Sequence, residues 1–98
     1  MLFKEKVLEL TKKIPKGKVT TYKIIAEKLK TRAYRAVGTA LHNNKRPITI
    51  PCHRVVNSDG FIGSYAKGIK QKIKLLKKEG INIKNKNIIN FEKVLFRF

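Results

Sequence analysis

The stretch Thr20-Thr21-Tyr22-Lys23-Ile24-Ile25-Ala26-Glu27-Lys28-Leu29-Lys30-Thr31-Arg32-Ala33-Tyr34-Arg35-Ala36-Val37-Gly38-Thr39-Ala40-Leu41-His42 carries two short apolar patterns of helical period separated by a polar break. Thr20 or Thr21 can cap a first helix from about Tyr22 to Leu29, because a threonine oxygen accepts an orphan N–H of the first turn. Ile25, Ala26 and Leu29 form its buried face. After the break at Lys30-Thr31, Thr31 can cap a second helix whose apolar stripe is Ala33, Val37, Ala40 and Leu41. Two short helices joined by a tight turn predict a helix-turn-helix. The opposite face of the second helix is Arg35, Gly38, Thr39 and His42, which project together because they lie three, four and seven positions apart. Gly38 removes side-chain bulk at a cost in helix propensity, which suits close approach of a nucleic-acid backbone or packing against a neighbouring helix.

Upstream, Phe3, Val7, Leu10 and Ile14 fall at helical spacing and predict an amphipathic helix ending before the turn Pro15-Lys16-Gly17. Downstream, the chain is expected to turn through Arg46-Pro47 into an extended run, Ile48-Thr49-Ile50-Pro51, whose prolines keep it out of a central strand. Cys52 is therefore expected on irregular backbone. Asn57-Ser58-Asp59-Gly60 is a turn signal between Val55-Val56 and Phe61-Ile62, predicting a small hairpin or wing. Gly63-Ser64-Tyr65 and Gly68 read as a loop, and Ile69, Ile73 and Leu76 mark a last helix ending at Glu79 before Gly80. The expected fold is mainly α, one winged helix-turn-helix-like domain over residues 1–80 with a small β-hairpin wing. The tail, 81–98, is expected to be peripheral, with Phe91, Val94, Leu95 and Phe98 packing as one helical turn or two.

With 98 residues there is room for one modest core and one site, not for a second catalytic domain. Lys and Arg number 24 against 6 Asp and Glu, a formal charge of +18, while hydrophobic residues still make up 42%. A folded polycation attracts phosphate backbones and releases their counterions on binding, so nucleic acid is the leading partner. An anionic membrane is the weaker candidate, because the lysines are scattered and no basic amphipathic helix stands apart. Part of the charge is solvated surface. The single cysteine forms no internal disulfide, no amino-terminal apolar run resembles a signal peptide and no segment could span a bilayer. A reducing cytoplasmic setting is the expectation.

That cysteine lies in Pro51-Cys52-His53-Arg54-Val55. A lone cysteine is commonly an inert buried hydrophobe, and its neighbours decide whether it is more. The segment from Ile14 to Gly80, about two-thirds of the chain, resembles the catalytic domain of the O6-alkylguanine-DNA alkyltransferases. The resemblance rests on Pro15-Lys16-Gly17-Lys18-Val19 before Thr21-Tyr22, on Arg35-Ala36-Val37-Gly38, on Asn44, on Ile50-Pro51-Cys52-His53-Arg54-Val55-Val56, on Gly63 and Tyr65, and on Glu79-Gly80. The order of these pieces, and the seventeen positions between Arg35 and Cys52, make the match specific.

The resemblance implies DNA repair by a helix-turn-helix that enters the minor groove of duplex DNA and flips out O6-alkylguanine, with O4-alkylthymine as a further candidate. The alkyl group then passes irreversibly to Cys52, once per molecule. Thiolate is the right nucleophile for a saturated carbon, and free cysteine ionises near pKa ~8.5, so a base must assist. His53 corresponds to that base, acting through a water, and Glu79 to the carboxylate that orients it. Asn44 corresponds to a brace for the turn that carries the cysteine. Tyr22 matches the tyrosine that serves the flipped guanine and its departure. Tyr65 matches the aromatic wall of the base pocket, and the carbonyls of Cys52 and Val55 match acceptors for the guanine amino group. Arg35 matches the side chain that fills the vacated place in the stack, with Gly38, Thr39, His42 and Tyr22 completing the DNA-binding set.

Two positions and one missing part depart from the family pattern. Ala66 stands where many relatives carry a hydroxyl, leaving backbone amides near Tyr65 and Ala66 to bond the base oxygen. Lys67 stands where glycine or a bulky residue is common and would narrow the pocket against groups such as benzyl. The amino-terminal domain of many relatives, which sometimes holds zinc, is expected to have no counterpart in these 98 residues, where one Cys with two His leaves too few ligands for that metal. No metal or cofactor is expected. The expected form is a monomer that can assemble cooperatively on DNA. A non-catalytic lesion-binding relative and a helix-turn-helix regulator are the competing functions; the former lacks the acceptor cysteine, and the latter gives the Pro-Cys-His-Arg cluster no purpose.

Overall fold

Helix α1, Phe3–Lys12, presents Val7 and Leu10 to the core, and Ile14 follows them just before Pro15 ends any helical continuation. The computed structural model describes residues 2–46 and 49–98, so the expected turn at Arg46-Pro47 and the start of the run at Ile48 lie outside the described residues. Thr11 is buried on the same face of α1, its hydroxyl donating to the Val7 carbonyl at 2.7 Å.

Strand β1, Thr20–Thr21, leads directly into α2, Tyr22–Lys28. Of the two candidate caps Thr21 is the one used: its Oγ1 accepts from the Ile24 N–H at 3.0 Å. The end of α2 is closed by Lys30 at φ 59, with Lys30 N–H bonded to Glu27 O and Thr31 N–H to Ala26 O. That is a Schellman closure with lysine in the place glycine usually takes. Thr31 does not cap the next helix. It accepts from Ala33 N–H at 3.2 Å instead, closing a local turn, and α3 spans Tyr34–His42 with Ala33 as its exposed first flank. The buried stripe of α3 is accordingly Val37, Ala40 and Leu41, packed against α1 and α2.

The segment at Cys52 is more ordered than expected: Cys52–Arg54 form one 3-10 turn, followed by β2, Val55–Val56. The wing expected from Val55 to Ile62 is corrected. Its turn forms, with Asn57 N–H on Phe61 O, but β2 pairs in parallel with β1, Thr20 opposite Val55 and Thr21 opposite Val56. The hairpin comes from the tail, where β3, Ile83–Lys84, pairs antiparallel with β4, Asn87–Ile88, and Phe61 bridges to Asn87. Helix α4, Ile69–Lys78, ends as expected, Glu79 being its cap and Gly80 following at φ 91.

The tail is not peripheral. Ile81 and Ile88 are buried with Val19, Val56, Ile62 and Leu76 in a second core cluster. Beyond the single turn α5, Phe91–Val94, the chain runs beside Val19, which donates to Val94 O and accepts from Phe96 N–H. Phe96 and Phe98 then pack on the first cluster, the one formed by α1, α2 and α3 with Cys52 and Val55. The β1–β2 pair and the 3-10 turn thus lie at the seam between two small cores. The result is a mainly helical single domain with a small sheet.

Candidate active site

Cys52 opens its 3-10 turn at 6% exposure, and His53 beside it is 1% exposed. His53 Nε2 lies 3.0 Å from Glu79 Oε2. An ionised carboxylate only accepts, so the bond puts the imidazole proton on Nε2 and leaves Nδ1 as the basic lone pair. That Nδ1 is buried and has no partner among the described residues. Glu79 is held in turn by Arg54, whose Nε donates to Oε1 at 2.9 Å and Nη2 to Oε2 at 2.6 Å, a two-pronged fit of guanidinium to carboxylate. Arg54 Nη1 reaches the Ile14 carbonyl at 2.8 Å, tying the reactive turn to the end of α1. The acid at the end of α4 therefore has its compensation in two adjacent cationic or donating groups.

Electrostatics follow from this arrangement. Burial pushes the His53 pKa below its ordinary 6.5, with the bond to Glu79 opposing and Arg54 and Lys72 reinforcing the shift. Burial alone would raise Glu79, but the bonds from Arg54 and His53, with their charges, outweigh it and hold the carboxyl below 4.5. A neutral, basic His53 beside a permanently ionised Glu79 is the state these groups adopt near neutrality.

Asn44 Nδ2 donates to Ile50 O, two residues before the cysteine, at 2.9 Å, while Oδ1 accepts from Arg46 N–H at 2.9 Å. Tyr65 packs edge-on to His53, ring centroids 6.4 Å apart. Burial first, and then the charge of Cys52, raise the pKa of the Tyr22 and Tyr65 hydroxyls above the ordinary 10.0. Ala66 is exposed on the loop beyond Tyr65. The Val55 carbonyl, expected to await a base, already accepts from Lys72, and the Cys52 carbonyl accepts from Val55 N–H. Each keeps its second lone pair.

Tyr22, Arg35, Gly38, Thr39 and His42 share one open cleft of about 470 Å³ with Ser64 and Asn57. A Cβ on Gly38 would meet nothing within 4 Å, so this glycine clears the cleft and does not seat a neighbouring helix. At the cleft floor a narrow cavity of about 20 Å³, walled by Tyr22, Tyr65, Ser64 and Leu41, leads to Cys52. Gly63, beside Ser64 in the chain, has φ 72, and a Cβ there would strike Asn57 Oδ1 at 2.9 Å and come within 3.5 Å of the Tyr22 hydroxyl. Only glycine satisfies both demands.

Lys72 escaped the sequence reading. It is 0% exposed, donates to Val55 O at 2.6 Å and Ser64 O at 2.9 Å, and lies 5.9 Å from the Tyr22 ring centroid. Burial lowers its pKa to about 7 against the opposing charge of Cys52. The signal was present, since Lys72 falls three after Ile69 and four before Leu76, on the apolar stripe of α4. Arg54 was likewise quoted for the motif but given no role. Among the described residues no group of three His, Cys, Asp or Glu could hold a metal ion, and no helix is long and apolar enough to cross a membrane.

Comparison with known proteins shows the family of the chain. Residues 2–81 match the model of the 6-O-methylguanine DNA methyltransferase DNA-binding domain. The methylated-DNA--protein-cysteine methyltransferase of Sulfolobus acidocaldarius is 48% identical over 81 residues, 83% of this chain and 51% of that protein. The crystal structure of the Pyrococcus kodakaraensis O6-methylguanine-DNA methyltransferase superposes with a TM-score of 0.75 at 49% identity, over 83% of this chain and 47% of that one. S. pombe Atl1, solved in complex with damaged DNA containing O6-carboxymethylguanine, superposes with a TM-score of 0.83 at 29% identity, over 97% and 94% of the two chains. The chain spans between about a quarter and about half of the length of the curated relatives it matches.

Proposed function

This chain belongs to the 6-O-methylguanine DNA methyltransferase family, and from that premise we propose that it repairs O6-alkylguanine in duplex DNA by taking the alkyl group irreversibly onto Cys52. The observation that carries the reading is a thiol next to a buried imidazole whose Nε2 is committed to Glu79 and whose Nδ1 is basic and unbonded among the described residues. His53 takes the thiol proton through a water, and the Cys52 sulfur attacks the alkyl carbon in line. The S–C bond forms as the C–O6 bond breaks, and its electron pair leaves on the guanine oxygen. Proton delivery through Tyr22 and His53 leaves neutral guanine and S-alkylcysteine, with no net charge created.

Arg35, Gly38, Thr39 and His42 face the duplex, and Arg35 fills the gap left by the flipped base, offsetting a cost of roughly a few kcal/mol. The cavity of about 20 Å³ over Cys52 holds about one water and no base, so the base is admitted by movement of the loop between Gly63 and Gly68, both at positive φ. Tyr65 rides on that loop and closes over the base as its aromatic wall.

A second reading, lesion binding without transfer, is favoured by the near-complete overlap with Atl1 in both directions. One experiment separates the two. Incubation with duplex DNA containing O6-methylguanine, followed by mass spectrometry of the Cys52 peptide, is expected to show one added methyl on the sulfur. An unmodified thiol with the lesion still bound supports the second reading, and repeated turnover contradicts both.

A further inference from the structure

Most of the positive charge lies outside the helix-turn-helix, and its densest run is on α4. Between Lys67 and Lys78 the chain carries six lysines and no acid. Lys72 is the buried one, and its ammonium side points at the site, donating to Ser64 O and lying over the Tyr22 ring. At about 100° per residue, Lys70, Lys74, Lys77 and Lys78 are turned about 120–160° from Lys72, so their face looks away from the cleft. All four are exposed, and none is ion-paired among the described residues. The nearest acid along the chain, Glu79, is consumed by His53 and Arg54.

Four like charges on one helix face repel one another and lower stability, so an uncompensated stripe of this kind is costly unless an anion covers it. The repeat of three and four residues sets the lysines in a row along the helix, a spacing that suits a line of phosphates. The row therefore lies on the side of α4 turned from the cleft that α3 and Ser64 line. The domain extends 36 × 25 × 20 Å, and the Lys72 side chain, directed at the cleft, marks α4's other side as the one turned from it.

We infer that the outer face of α4, carried by Lys70, Lys74 and Lys77, binds the phosphate backbone of a second DNA segment, so that one molecule bridges two duplexes. The inference rests on the reading that α3 faces the first duplex. Counterion release makes the contact sequence-independent and salt-sensitive, each lysine adding about 0.9 to the slope of log affinity against log salt. Such a contact would hold the protein near DNA while α3 samples successive sites.

The test uses the full chain, a bead-bound duplex and a labelled duplex of unrelated sequence. Wild-type protein is expected to retain the labelled duplex on the beads. The variant Lys70→Gln/Lys74→Gln/Lys77→Gln, with helix content checked by circular dichroism, is expected to retain at least about five-fold less while its Kd for a single duplex changes less than about two-fold. A wild-type chain that binds one duplex and captures no second overturns the bridging surface and leaves the α3 reading intact. Equal capture by the variant overturns it too, as does a parallel loss of capture and single-duplex affinity, which would put these lysines on the first duplex. Failure of the α3 reading is seen separately, as single-duplex binding unaffected by Arg35→Ala.

Discussion

The outward face of α3 lines an open cleft, the Cys52–Arg54 turn lies beneath the cleft floor, and the two are built in opposite ways. Arg35, Thr39 and His42 are exposed, and their side chains make no hydrogen bond among the described residues. The reactive turn is buried and is held from far along the chain: by Ile14 and Glu79 through Arg54, by Asn44 through Ile50, and by Lys72 through Val55. Side chains without partners are free to adapt to what they meet, whereas a turn held by long-range bonds keeps one geometry. The two regions should therefore fail differently, one by weakened binding and the other by lost chemistry or lost fold.

The largest effect is expected at Glu79. Glu79→Ala leaves Arg54 without its carboxylate and His53 without its orienting acceptor, lowering single-turnover transfer by about 10²–10⁴ and stability by about 3–5 kcal/mol. Because the folded pKa of Glu79 is depressed, its contribution is full above pH 4.5 and is lost as pH falls through the folded value. Denaturant titrations of the wild type and variant should therefore converge in acid. In the wild type the acid limb of transfer should lie below pH 6.5, where the depressed His53 protonates.

Next comes Arg35→Ala, expected to slow transfer from duplex DNA by about 10–100-fold, the equivalent of a few kcal/mol of flipping cost, while transfer from the free alkylated base is unchanged. Equal losses on the two substrates would erase the distinction between the faces. The effect that is smallest per pH unit concerns Lys72, which has released its proton above about pH 7 in the folded chain whereas the unfolded chain holds it to 10.5. The unfolded state then binds more protons, so this residue makes stability rise with pH across that window, by about 1 kcal/mol per unit. Lys72→Met, which removes the titration, should lack that rise in urea melts.

The contrast also explains what the sequence made legible. α1, α2, α3 and α4 announce themselves because their apolar residues repeat with the helix, and the four side chains of the α3 face share that period. Thr31 misled because a threonine before a helix can close a local turn as readily as cap. The wing was misplaced because the partner of Val55 is Thr20, far upstream, and strands of two residues carry no alternation to read. The tail was set aside for the same reason, although Ile81 and Ile88 complete a core that no local pattern reveals. The stretch from Pro51 to Val55 is legible as a motif, while the bonds that Arg54 and Lys72 make around it arise only on folding.

The division of labour is tested most directly by Cys52→Ala, measured for duplex affinity and methyl transfer on the same O6-methylguanine substrate. The account predicts binding within about two-fold of the wild type, since a buried side chain at the cleft floor contributes little to a phosphate-dominated contact, and no transfer. Loss of both in a folded variant, or methyl transfer surviving without the thiol, would contradict it.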